Sequence, residues 1–107
     1  MISTHILDTS IGAPASGVAV KLEKQEGKDW STISSGFTNA DGRLQFDVEI
    51  QPGNHRIVFE IEDYLKKSGK EFFFLNVPVS FKIENTKRNY HVPLLLNPFG
   101  FSTYRGS

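Results

Sequence analysis

The sequence contains no cysteine, which excludes disulfide cross-links and thiolate chemistry and leaves the redox compartment open. It has no surplus of either charge: twelve basic and twelve acidic side chains cancel to a formal net charge of zero. That argues against nucleic acid as a partner, because phosphate binding needs a positive excess arranged as a stripe. The nearest approach, Lys66, Lys67 and Lys70, lies among Glu60, Glu62, Asp63 and Glu71 and reads as a solvated surface. No apolar run approaches the ~18 residues of a membrane span. The first residues have neither the basic nor the apolar segment of a secretion signal, and strand-like patterning begins at Ile2. The expectation is therefore a cytoplasmic protein without a membrane partner. Repeats, low-complexity segments and linkers are also missing, so the 107 residues are expected to form one domain, 1–107, around one core.

What the chain does have is period-two alternation, the pattern of half-buried strands. Ile2, Thr4 and Ile6 alternate with Ser3, His5 and Leu7; Val18, Val20 and Leu22 follow. Trp30 to Phe37 is a weaker, Ser/Thr-rich strand, and Leu44, Phe46, Val48 and Ile50 form a strong one. Ile57, Phe59 and Ile61, then Val77 to Ile83, Tyr90 to Leu96 and Phe101 to Tyr104 complete about eight strands. Turns fall between them at Gly12-Ala13-Pro14, Ala40-Asp41-Gly42, Pro52-Gly53-Asn54 and Asn97-Pro98. Only Glu62 to Gly69 looks helical, with acids first, lysines later and a closing glycine. The pattern predicts an all-β, two-sheet sandwich with one short helix.

The final strand and the tail carry the chemistry. If Tyr90, Val92, Leu94 and Leu96 face the core, His91, Pro93 and Leu95 share the outer face. A strand apolar on both faces is normally covered on both, and the second cover is expected to be another subunit. His91 would then lie in an interface, and His5 would point the same way. After that strand the chain stays apolar and aromatic up to Tyr104, then ends on Arg105, Gly106 and Ser107. Chain ends are usually polar and frayed, so this one is expected to pack, with Arg105 and the terminal carboxylate placed for use. His55 follows Pro52-Gly53-Asn54 and is expected in a loop, as a structural histidine. The three histidines include no His-x-His or His-x-x-x-His pair to anchor a zinc site, and no metal is expected. Neither a Gly-x-Ser-x-Gly elbow nor paired carboxylates suited to glycoside chemistry is evident. Arg43, taken alone, reads as an arginine flanking the turn Thr38 to Gly42.

Five segments in order carry a family resemblance: Ser3-Thr4-His5-Ile6-Leu7-Asp8, Gly12-Ala13-Pro14-Ala15-Ser16-Gly17-Val18, Thr38-Asn39-Ala40-Asp41-Gly42-Arg43, Tyr90 to Leu96, and Ser102-Thr103-Tyr104-Arg105-Gly106-Ser107. Together they resemble the 5-hydroxyisourate hydrolases, the transthyretin-related enzymes of urate breakdown. The Gly-x-Pro-x-x-Gly-Val and Asp-Gly-Arg pieces occur in other transthyretin-like modules. The closing Tyr-Arg-Gly-Ser separates the hydrolases from the hormone carrier. The family usually has Phe-Phe-Pro-Glu where this chain has Phe73-Phe74-Leu75-Asn76, and tyrosine where it has Phe101.

The resemblance implies a transthyretin-like sandwich and a homotetramer, a dimer of dimers with active sites in clefts between subunits. It implies catalytic roles for His5, Arg43 and His91, and substrate binding by Arg43, Tyr104, Arg105, Gly106 and Ser107. The activity it implies is hydrolysis of 5-hydroxyisourate to 2-oxo-4-hydroxy-4-carboxy-5-ureidoimidazoline in purine catabolism. Water must attack a ring amide carbonyl, so a base working near neutral pH and a cation at the developing oxyanion are required. Histidine and arginine suit those tasks, and no cofactor is called for. His91 would activate the water while His5 orients it or shares the proton; the two assignments can be exchanged. The alternatives are a non-catalytic transthyretin-like ligand carrier and a prealbumin-like accessory module of the kind attached to carboxypeptidases.

Overall fold

In the computed structural model, which describes residues 1–107, the alternating segments become two sheets that share one buried core. The strands are β1 (Ile2–Asp8), β2 (Ala13–Pro14), β3 (Ala19–Glu26), β4 (Asp29–Phe37), β5 (Arg43–Phe46), β6 (Gly53–Glu60), β7 (Val77–Ile83), β8 (Tyr90–Asn97) and β9 (Gly100–Thr103). One helix, α1 (Glu62–Lys67), joins β6 to β7. The first sheet runs β2-β1-β8-β9, with β5 also paired to β1; the second runs β4-β3-β6-β7. All these pairings are antiparallel except β1 with β8, which is parallel.

The core follows from the alternation. In β1, Ile2, Thr4, Ile6 and Asp8 are buried while Ser3, His5 and Leu7 are partly exposed on the other face. In β8, Tyr90, Val92, Leu94 and Leu96 point inward. They meet Leu22, Ile57 and Phe59 from the second sheet in one apolar cluster. Each such side chain contributes about 1.5–3 kcal/mol by leaving water. Asp8, the one inward-facing carboxylate of β1, is fully engaged: it accepts from Ser10 N–H and Oγ, and from the Tyr64 hydroxyl at 2.7 Å. The last bond fastens α1 to the first sheet. Burial opposes ionisation of Asp8, yet the bonds from Ser10 and Tyr64, aided by Lys70, hold its carboxyl below the usual range. Burial and Asp8 together push Tyr64 up to about 12.

Three expectations are corrected by the pairing. Ala13–Pro14, read as part of a turn, forms a ninth, two-residue strand at a sheet edge, where proline's missing N–H is tolerated. The strand read from Leu44 to Ile50 stops at Phe46, because β1 offers partners only from Ile2 to His5. Val48 and Ile50 still pack against the core, which explains their alternation without a ladder. His55, expected in a loop, lies inside β6 between β3 and β7, 1% exposed. Its Nδ1 is 3.0 Å from the Gly53 carbonyl oxygen and its ring is stacked near Phe81, so the structural role holds but not the loop.

Leu94 is completely buried between the sheets. Leu94→Ala is expected to destabilise the fold by about 2–5 kcal/mol in urea unfolding, the range for a large-to-small core change. A loss below about 1 kcal/mol would contradict the packing described.

Candidate active site

The turn before β5 is built to deliver one side chain. Asn39 Oδ1 accepts from the backbone N–H of Asp41 at 2.9 Å and of Arg43 at 3.0 Å. Gly42 N–H donates to the Asn39 carbonyl, and the Gly42 carbonyl accepts from Ile6 N–H, both at 2.8 Å. Gly42 sits at φ +73°, and a Cβ there would lie 2.5 Å from the Ile6 carbonyl oxygen. Only glycine satisfies both conditions, so the Asp-Gly-Arg sequence is a geometric requirement. Its product is Arg43 placed opposite His5 across the β1–β5 ladder.

The parallel β1–β8 ladder supplies the next group by setting Ser3 opposite His91 and His5 opposite Pro93. All of these residues lie on the outer face, away from the core. The tail then folds back over them. Thr103 Oγ1 donates to the Pro93 carbonyl at 2.6 Å, and Gly106 N–H donates to the His91 carbonyl at 2.8 Å. The second cover expected over Pro93 therefore begins within the chain itself: Pro93 is buried in the chain alone.

A cleft of about 440 Å³ results, lined by Ser3, Asn39, Arg43, Gln45, His91 and Ser107 among others. Eight of its ten lining residues carry polar or charged side chains. His5 does not line it; it lies beside Arg43, partly exposed, close enough for its charge to act on His91. Tyr104 and Arg105 do not line it either. They border a neighbouring cleft of about 210 Å³ with Val79, Phe81 and Tyr90, where the Arg105 guanidinium carbon lies 5.2 Å from the Tyr90 ring centroid. His91 borders both clefts. Within one chain, then, the structure gathers His91, Arg43 and Ser107 at one opening, with His5 behind Arg43 and Tyr104 and Arg105 beyond His91. His55 belongs to the other sheet, and no three metal-ligating side chains come together.

His91 is held below the ordinary histidine pKa of 6.5, first by burial and then by the charges of Arg43 and His5; only the Ser3 backbone acts in the opposite direction. An imidazole kept neutral next to a permanent cation is a proton acceptor beside an electrostatic anchor. Ser3 was not singled out in the sequence. A serine two residues before a histidine in a strand has no distinguishing signal, and only the register with β8 makes it part of the site.

A two-sheet sandwich of this strand order, with a histidine–arginine cleft on the outer face of the first sheet, defines a transthyretin-like protein. The chain belongs to the HIUase/Transthyretin family, which residues 2–106 match. A curated 5-hydroxyisourate hydrolase from Salmonella dublin is 41% identical over 110 residues, an alignment spanning 100% of this chain and 81% of that protein. The structure of Klebsiella pneumoniae 5-hydroxyisourate hydrolase superposes with a TM-score of 0.87 at 37% identity, over 99% of this chain and 98% of that one. Transthyretin from Sparus aurata gives a TM-score of 0.93 at 28% identity, over 98% and 95%. The fold is thus shared with both kinds of relative, and the side chains of the cleft must distinguish them.

Titration of His91, followed by NMR of its ring protons, is expected to show a midpoint below 6.5, and Arg43→Ala is expected to raise it. An unmoved midpoint in that variant would show that the guanidinium does not reach the ring. His55 is likewise lowered, first by burial. Since both folded-state values lie below 6.5, the unfolded chain binds protons first, and stability should fall as pH drops below that value.

Proposed function

We propose that the chain hydrolyses 5-hydroxyisourate to 2-oxo-4-hydroxy-4-carboxy-5-ureidoimidazoline, a step of urate degradation. The observation that carries this reading is the convergence of His91 and Arg43 on one polar cleft, with His91 kept neutral by burial and by Arg43. Relatives named 5-hydroxyisourate hydrolase at about 40% identity over the whole chain point the same way.

In this mechanism His91 accepts a proton from water as the water oxygen bonds to the ring carbonyl carbon. Charge gathers on the carbonyl oxygen, where Arg43 supplies a fixed cation and two parallel N–H donors. The carbon–nitrogen bond then breaks, and the proton held by His91 passes to the departing nitrogen. His5, beside Arg43, shares or relays the proton and holds the water. Ser107 and Gly106 close the cleft on the tail side. Tyr104 and Arg105 act on substrate from the neighbouring cleft, which opens toward a second subunit in a homotetrameric assembly. Exposed Phe99 and Phe101 on and beside the edge strand β9 support such an assembly. A ligand carrier of the hormone-binding kind fits less well, since an apolar ligand favours an apolar lining.

Ultraviolet absorbance of freshly made 5-hydroxyisourate, with and without protein, tests the activity directly; the expected result is decay well above the spontaneous rate. Replacing His5, His91 or Arg43 with alanine should lower the catalysed rate by about 10²–10⁴-fold. Less than tenfold loss at both histidines would refute their assignment. Deleting Tyr104 to Ser107 should abolish turnover and leave the far-ultraviolet circular dichroism of a folded sandwich; full activity would deny the tail a role.

A further inference from the structure

The His91 imidazole is held on two sides by residues to which the chemistry above gives no task of this kind. On one side the Ser3 Oγ lies 2.8 Å from Nδ1, and this is the only side-chain hydrogen bond His91 makes. On the other side lies Gly106. A Cβ at that position would sit 2.5 Å from His91 Cδ2, 3.3 Å from its Cγ and 3.2 Å from Pro93 Cγ. Gly106 is outside the left-handed region, so its demand for glycine is purely steric: the ring occupies the space a side chain would need.

A histidine ring rotates about a broad, nearly two-fold torsion. A half-turn exchanges Nδ1 with Cδ2 and Nε2 with Cε1, leaving a carbon where the base must be. In the observed orientation Nδ1 meets an oxygen and Cδ2 meets the Gly106 backbone. After a half-turn, Cδ2 would meet the Ser3 hydroxyl and Nδ1 would lie against the Gly106 Cα, and the hydrogen bond would be lost. A hydroxyl can either donate or accept, so Ser3 Oγ alone would serve both tautomers. A neutral imidazole carries a single proton, so a ring whose Nε2 is to take a proton from water must hold its own on Nδ1, with Ser3 Oγ as the acceptor.

We infer that Ser3 and Gly106 are positioning residues that set the rotamer and tautomer of His91, with Nδ1–H bonded to Ser3 and the Nε2 lone pair turned to the cleft. The tautomer and the role of that lone pair rest on the hydrolytic reading above; the hold on the ring's orientation does not. When Nε2 takes a proton, the Nδ1–H bond to Ser3 persists, so the ring becomes imidazolium without turning. Gly106 thereby gains a reason to be glycine that is separate from any contact with substrate.

Long-range ¹H–¹⁵N NMR of ¹⁵N-labelled protein, above the His91 titration range, reads the tautomer without substrate. The expected spectrum has Nδ1 protonated and Nε2 bare in the unmodified chain. Ser3→Ala should shift the population toward Nε2–H, and Ser3→Thr should restore the original form. In turnover, Ser3→Ala and Gly106→Ala should each lower kcat/KM by about 10²-fold, the scale of an ångström-sized misplacement, with thermal unfolding unchanged. Ser3→Thr should recover most of the rate. A His91 tautomer indifferent to Ser3→Ala, or wild-type kcat/KM in that variant, would overturn the clamp. A tautomer that follows Ser3 in a chain inactive on 5-hydroxyisourate would uphold the clamp and remove the hydrolase reading instead.

Discussion

The parallel pairing of β1 with β8 is the contact on which the rest of this structure depends. It runs in register from Ile2 against Tyr90 to Asp8 against Leu96, the first strand against the penultimate one. On the inner face it brings Ile6 and Leu94 into the core; on the outer face it brings Ser3 against His91. One ladder therefore fixes both the sandwich and the orientation of the imidazole. Thr4 reinforces it from within, donating to the Val92 carbonyl at 2.6 Å. Because side chains alternate with a period of two, a slip of one residue would turn Ser3 inward and carry a hydrophobic side chain to the cleft. The apolar face enforces the register that the polar face uses.

The electrostatics of the cleft follow from the same arrangement. β1 stands between β5 and β8, so the cation on β5 and the imidazole on β8 meet across it. Arg43 needs no carboxylate partner to hold it there, since the backbone of its own turn is locked by Asn39 and Gly42. An unpaired guanidinium keeps its full charge for the imidazole and for an anionic centre. Elsewhere the chain shows the contrary design: Arg56 is paired with Glu23 at 2.6 Å and stacked over Trp30. There the cation is neutralised and structural.

Much of the fold was legible because alternation is a local record of which face is wet. β1, β3, β7 and β8 fall where the apolar residues mark them, and α1 falls where acids give way to lysines. The misreadings share one cause. Val48 and Ile50 alternate but have no neighbouring strand to bond, and His55 follows turn residues yet is enclosed by β3 and β7. Whether a segment is a strand depends on an available partner, and that is not a local property. The site divides the same way. His5, Arg43, His91 and the Tyr-Arg-Gly-Ser tail could be singled out by residue type and by resemblance. Ser3 could not, because its importance lies entirely in what stands opposite it.

The sequence by itself determined the class of fold, the chemical groups available and the turn at Ala40-Asp41-Gly42, since these follow from residue type and short-range periodicity. Only the tertiary structure decided that His91 and Arg43 open on one cleft, that Tyr104 and Arg105 lie beyond it, and that Ser3 and Gly106 grip the imidazole. The reason is physical: these contacts join separate segments of the chain, 88 positions apart for Ser3 and His91, and their geometry is set by strand register, which the buried hydrophobic face selects.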